Sequence, residues 1–237
     1  MLTEDKLLGG RVRLRQPAEG LRAGHDAVLL AASVPAKPGQ IVLELGCGSG
    51  AAFLCLMARV PDLRAIAVER VPLLAELARE NAALNGVADR VQVIEGDIAD
   101  PALRSALPRV AHGFANPPYW PAGTKPPDAL RRDATHEDDT ALPDWAACLG
   151  GAVTQGGSAT FILPAARFAE GAAALTAARF GSLALLPLWP RVGVAAKRVL
   201  LAGRAGGKGP ARVLPGLVLH GDSAAEAVLR EAASLPL

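Results

Sequence analysis

Apolar and polar residues recur with two different periods along this chain, and each change of period marks an element. Residues 41–45 form a short apolar run with β-branched members, which predicts a strand ending in a glycine-rich turn. Residues 51–59 follow a helical pattern that stops before Pro61. The succession then repeats as strand 65–68 and helix 72–84, strand 91–94 and a short helix near 101–107, and strand 110–115. Pro72 stands in the first turn of its helix, where a missing amide does no harm. Asn85 and Gly86 both tolerate the left-handed conformation of a C-terminal cap, so they are expected to close that helix. Residues 120–140 are rich in Pro, Asp, Arg and Gly with little apolar periodicity, and a mobile loop is expected there. Helix 142–153, strand 159–163, helix 165–178 and strand 183–188 complete the alternation.

Strands separated by helices imply an α/β fold with a mostly parallel sheet and helices on both faces. Residues 197–203 and 213–220 are expected to add a final antiparallel pair, joined by the glycine-rich segment 203–210. The first forty residues differ. Val12 and Leu14 alternate with Arg11, Arg13 and Arg15, which suits a strand or hairpin, and an apolar helix follows from about 27 to 34. Forty residues are too few for a separate core. The expected division is therefore an extension, 1–39, over a ligand pocket, and a main domain, 40–237.

Composition changes this picture little. The chain has 237 residues, 51% of them hydrophobic, enough for a substantial core. A net charge of +2 writes no strong attraction for nucleic acid into the overall balance. Such affinity would rest on local groups: Arg11, Arg13 and Arg15, Arg131 and Arg132, or Lys197 and Arg198. Cys47, Cys55 and Cys148 form no metal-like or paired spacing, the histidines are scattered, and no metal is expected. The early charges Glu4, Asp5 and Lys6 do not suit a signal peptide, and no apolar run reaches membrane length, so a cytoplasmic protein is expected.

The chemistry lies in two turns. Gly46, Gly48 and Gly50 follow the first strand of the alternation, where absent Cβ atoms let a ligand approach the backbone and the next helix directs amides at it. Gly46, Gly48 and Ala51 also satisfy the looser dinucleotide pattern. Glu44, an acidic residue before the first glycine, instead favours S-adenosylmethionine, which carries no phosphate. Glu69, ending the second strand, is placed to accept from ribose hydroxyls, a device both ligands share. Asp97 is placed to accept from an adenine amino group and Ile98 to pack on the ring, although an aspartate there also suits a helix N-cap.

The second turn, Asn116-Pro117-Pro118-Tyr119, ends the fourth strand, at the sheet edge where open α/β folds bind ligands. Two prolines would hold the Asn116 side-chain oxygen and the Pro117 carbonyl rigidly as a pair of acceptors. Such a pair fits a planar NH2 group. Its lone pair is delocalised, and hydrogen bonds to its protons favour the tetrahedral nitrogen that attacks a methyl group. Tyr119 would stack on the planar substrate, and Trp120 would extend that platform or pack beneath a lid.

With these motifs in hand, the chain resembles the class I methyltransferases that modify planar amino groups. The run Arg15-Gln16-Pro17 through Gly20-Leu21-Arg22-Ala23-Gly24-His25-Asp26-Ala27-Val28-Leu29-Leu30 is similar to the bacterial tRNA(Val) adenine-N6 methyltransferase family. Gly123-Thr124, His136-Glu137, Lys197-Arg198-Val199-Leu200 and Leu217-Val218-Leu219-His220 resemble it too. The resemblance implies a Rossmann-like fold with a seven-stranded sheet, S-adenosylmethionine as cofactor, S-adenosylhomocysteine as product, and a tRNA adenine beside the anticodon as substrate. It implies that Gly24 and Asp26 close over the methionine end of the cofactor, with Asp26 near its ammonium, and that Gly46, Cys47, Gly48 and Gly50 form the loop beneath. Lys197 and Arg198 would track phosphates. His25 stands where that family more often has threonine. The competing readings are methylation of a protein glutamine, which usually goes with a larger N-terminal domain, and methylation of a small molecule.

Overall fold

The structure is a computed structural model describing residues 1–19, 22–118 and 141–237. The expectations for Tyr119, Trp120, Arg131, Arg132 and the loop 120–140 lie outside the described residues. Strands β1 (Leu2–Leu7) and β2 (Val12–Pro17) form an antiparallel hairpin. Helix α1 (His25–Ser33) leads to the alternating part: β3 (Ile41–Leu45), α2 (Ala51–Arg59), β4 (Arg64–Glu69), α3 (Pro72–Leu84), β5 (Val91–Glu95), α4 (Pro101–Ala106) and β6 (Val110–Ala115). It continues as α5 (Leu142–Ala152), β7 (Val153–Pro164), α6 (Phe168–Ala177), β8 (Phe180–Trp189) and β9 (Arg198–Ala205). Two two-residue strands, β10 (Arg212–Val213) and β11 (Leu217–Val218), and helix α7 (Ser223–Glu231) end the chain.

The main sheet runs β10-β8-β9-β7-β6-β3-β4-β5, with β11 also on β8. Strands β3 to β7 are parallel, and β9 is inserted antiparallel between β7 and β8. This corrects one expectation, because 213–220 does not pair with β9. Both edges of β9 are already hydrogen-bonded, so the later segment can only add to the outer edge of β8, where β10 and β11 run parallel to it. Helix α7, capped by Asp222 accepting from the Ala224 amide at 2.8 Å, was not anticipated.

Alternation along each strand feeds two cores. Val42, Phe114, Ile162 and Leu200 face α1, α2 and the N-terminal hairpin, while Leu43, Phe161, Leu163 and Leu201 face α5 and α6. Helix α1 packs on α2 through an almost fully buried run from Ala27 to Ala32. Among the described residues, no helix is long and apolar enough to cross a membrane, and no cluster of residues could hold a metal ion.

The hairpin is fixed by two asparagines one turn apart, Asn81 on α3 and Asn85 at its C-terminal cap. Asn81, fully buried, accepts from the Arg15 amide and donates to the Arg15 carbonyl, each at 2.8 Å, and to the Ser49 carbonyl at 2.9 Å. Asn85 makes the same paired contact with Arg13. Asn85 itself has φ −99° and only Gly86 turns left-handed (φ +68°), so Gly86 alone supplies the expected helix-end conformation.

Candidate functional site

A cavity of about 410 Å³ opens at the carboxyl ends of β3 and β6. Its wall includes Gly24, His25 and Asp26 from the start of α1, Glu44 and Gly46 to Ser49 from the turn after β3, Asn116 to Pro118 after β6, and Arg198 from β9. The two motif turns meet there because β3 and β6 are parallel neighbours: Leu45 pairs with Ala115, so both chains leave the sheet side by side. This is the edge at which open parallel sheets receive ligands.

The three glycines differ in their local constraints. Gly48 (φ +55°) has no heavy atom within 4 Å of where a Cβ would stand, so its open side belongs to the cavity. A Cβ at Gly46 (φ +62°) would lie 2.7 Å from the Trp145 ring, and one at Gly50 (φ +94°) 2.7 Å from Phe53. Gly50 does not line the cavity; it permits the turn, in which its amide donates to the Cys47 carbonyl at 2.9 Å. Cys47 lies in the wall, and burial pushes its thiol well above the ordinary range.

Two buried carboxylates brace this turn. Glu44 accepts from the Phe53 amide at 2.8 Å, satisfying one of the first amides of α2. Glu69 accepts from the Gly48 amide at 2.8 Å and the Val71 amide at 2.9 Å, tying the end of β4 to the glycine turn. Burial raises both carboxyls, Glu44 well above the usual range, against the opposing pull of these amide contacts. Glu69 is not in the cavity wall; its side chain lies just beneath, on the backbone that forms it. Asp97 accepts from the Ala99 amide at 2.8 Å, the helix cap is Asp100, and Ile98 is buried in the core on the α5 side. Neither Asp97 nor Ile98 reaches the cavity described above.

Lys197 and Arg198 diverge. Lys197 is exposed, whereas Arg198 enters the cavity wall and pairs with Asp26 at 3.0 Å, clasping the start of α1 to β9. The expected phosphate-tracking face of the N-terminal strand is also altered. Arg13 and Arg15 share a face but pair with Glu4 on β1, and Arg11 lies before the strand and donates to the Arg230 carbonyl. The charges of Arg13 and Arg15 are partly offset by the one carboxylate of Glu4, which the hairpin brings alongside.

Several contributors were not singled out by the sequence. Leu74 and Ala52 line the cavity beside Arg22 and Ala51, Trp145 lies beneath Gly46, and Arg167 donates to the Pro118 carbonyl at 3.2 Å while pairing with Glu170. Arg167 is 49 residues from Pro118, and no local pattern announces such a contact.

Residues 42–114 match the family model described as a methyltransferase domain. A tRNA1(Val) (adenine(37)-N6)-methyltransferase of Porphyromonas gingivalis is 34% identical over 138 residues, covering 56% of this chain and 54% of that one. The Aeromonas hydrophila protein of the same name is 35% identical over 147 residues, 62% of this chain and 61% of its own. The chain thus spans about half the length of the first of these relatives. Among solved structures, a predicted O-methyltransferase from Agrobacterium tumefaciens superposes with a TM-score of 0.75 at 25% identity, covering 90% of this chain and 99% of that one. The chain has the Rossmann-like class I methyltransferase fold, the seven long strands being extended by two short ones. The cavity has room for S-adenosylmethionine, the cofactor of this fold: Gly24 and Gly48 leave open the space a Cβ would take, and Asp26, held by Arg198, stands in the wall near the start of α1.

Proposed function

We propose that this chain, whose domain and fold are those of the class I methyltransferases, transfers a methyl group from S-adenosylmethionine to the N6 amine of an adenine in tRNA. The observation that carries this reading is the shared cavity, in which Asn116, Pro117 and Pro118 face the same space as Gly46 to Ser49. The names of the relatives add the nucleic acid and the atom.

In this reading residues 1–39 cover the cofactor end, with Gly24 and Asp26 above it and Gly46, Cys47, Gly48 and Gly50 below. Glu44 and Glu69 hold the shape of that floor through the Phe53, Gly48 and Val71 amides, and the ribose and adenine of the cofactor extend beyond this cavity toward Glu69, Asp97 and Ile98, the residues the motif implies for them. The bound cofactor supplies an electrophilic methyl on a sulfonium. The Asn116 side-chain oxygen and the Pro117 carbonyl accept from the two protons of the target amine and turn its lone pair out of the ring plane. Arg167 engages the Pro118 carbonyl and so fixes the motif's end. Preorganised acceptors of this kind contribute several kcal/mol, on the order of 3–4 for one well-aimed hydrogen bond. The product's extra proton is acidic and leaves to water, so the residues need supply no dedicated base. The motif assigns stacking on the adenine to the Tyr119 ring, with Trp120 extending that platform or packing beneath a lid, and Lys197 is exposed and free to face the RNA backbone. The target adenine must be unstacked, which an anticodon loop provides.

The test is transfer of labelled methyl into total tRNA from a strain lacking the activity, followed by nucleoside analysis. Labelled N6-methyladenosine, abolished by Asn116→Ala with cofactor binding retained, is the expected result. Label in protein glutamine, or on a hydroxyl group, would overturn the substrate while leaving methyl transfer standing.

A further inference from the structure

A second cavity, of about 390 Å³, lies at the opposite edge of the sheet. Its wall draws on the segment before β3 (Lys37, Gln40), the first halves of β6, β7 and β8 (His112, Ser158, Ser182), and the far end of antiparallel β9 (Arg204). His112 stands four residues before Asn116, so the two cavities are separated by roughly 13 Å of strand.

Three features mark this cavity as a built site. First, its charge is one-sided. Lys37, Arg204 and Arg212 surround it, no Asp or Glu lines it, and no ion pair engages those three cations among the described residues. Second, its floor is polar and buried. His112 is 9% exposed and its Nδ1 lies 2.8 Å from the Ser158 hydroxyl, itself 7% exposed. With Ser158 donating, the other ring nitrogen carries the proton and is a donor without a partner among the described residues. Third, both pairing irregularities of the sheet fall here. The register shifts between Val110 and His112 on β6 and between Gly181 and Ala184 on β8. The second shift holds Ser182 at φ +49°, a strained value for serine, and its hydroxyl accepts from the Gly209 amide at 2.8 Å, leaving its own proton to donate. Bulges of this type re-aim side chains, and strained backbone gathers at ligand sites.

We propose that this cavity binds a phosphate monoester, with Arg204, Arg212 and Lys37 around the phosphate oxygens and His112 and Ser182 donating from the floor and wall. Arg204 is already oriented by donating to the Gly156 carbonyl at 3.1 Å, which leaves its remaining N–H groups for the ligand. Guanidinium groups match the fork of phosphate oxygens, and the cavity has room for a group the size of a sugar or nucleoside beside the phosphate. The proposal does not depend on the methyl-transfer reading.

The test is titration of the full chain with adenosine monophosphate and with inorganic phosphate, by calorimetry and by the side-chain resonances of His112. Saturable binding that moves those resonances is expected, with affinity reduced about tenfold or more in Arg204→Gln/Arg212→Gln. Equal binding by that variant, or no saturable binding of either probe, would overturn the proposal. Adding tRNA distinguishes the sources of the phosphate. Displacement of the monoester by tRNA identifies the RNA backbone as the ligand, whereas retention in its presence identifies a free small molecule, and either supports a phosphate site.

Discussion

Replacing Asn81 with alanine should loosen the N-terminal hairpin and the cofactor turn together. Asn81 is fully buried and makes three hydrogen bonds of 2.8–2.9 Å, two to the Arg15 backbone and one to the Ser49 carbonyl. Its removal leaves an amide and two carbonyls without partners, and the site is too enclosed for water to replace them readily. At about 1 kcal/mol per bond the loss is about 3 kcal/mol. For a domain of this size that corresponds to a fall in Tm of roughly 6–12 °C. Asn85→Ala removes the equivalent pair to Arg13, but at the exposed end of the helix, where solvent can take over. Its expected cost is about 1 kcal/mol or less.

The comparison separates burial from bond count. Thermal unfolding gives the two Tm values, and hydrogen exchange on residues 2–17 and 46–50 reports whether hairpin and turn open together. Equal shifts for the two variants, or faster exchange in the hairpin alone for Asn81→Ala, would refute the reasoning that one buried amide couples both segments.

Gly46→Ala combines a left-handed backbone (φ +62°) with a Cβ 2.7 Å from Trp145, and should cost about 2–3 kcal/mol and weaken S-adenosylhomocysteine binding; an unchanged Tm and Kd would contradict this. Arg167→Gln should lower kcat about tenfold to a hundredfold through loss of a charged contact to Pro118, with cofactor affinity unchanged, as steady-state kinetics would show. Arg198→Gln opens a part-exposed pair with Asp26, so cofactor affinity measured by calorimetry should fall by no more than about fivefold. His112 is held neutral, its pKa lowered to about 4 by burial and by Arg204 and Lys37. Its stabilising contribution is therefore complete above pH 6.5 and lost as pH falls through about 4. Urea unfolding across that window should show a shallower acid decline in His112→Gln. Glu44 and Glu69 have the opposite sign: their pKa values are raised, so their contribution is complete below pH 4.5 and lost as pH rises through the elevated values.

The alternation of β3 to β8 was legible because most of its strands contain an apolar or alternating run closed by a turn signal, and α2 to α5 each have a proline or glycine at one end. The meeting of the two motif turns was legible for the same reason, since parallel strands that follow one another by crossover helices deliver their ends to one edge. What the sequence hid is whatever depends on which neighbour an edge already has. Residues 213–220 look like a hairpin partner for β9, but β9 is enclosed by β7 and β8, a fact of sheet order and not of local pattern. Arginines posed the same difficulty. Arg13, Arg15, Arg167 and Arg198 carry identical chemistry in the sequence, yet the first two are offset by Glu4, the third engages a motif carbonyl and the fourth clasps Asp26 inside the cavity. An arginine's role is fixed by its acceptor, and in all four of these cases the acceptor belongs to another segment of the chain. The glycines make the argument from the other side. Three residues of one motif share a positive φ, but only Gly48 is open toward the cavity, while Gly46 and Gly50 make room for Trp145 and Phe53. The spacing of the motif therefore encodes the packing beneath the turn as much as the ligand above it, and a substitution at Gly46 tests the first where one at Gly48 tests the second.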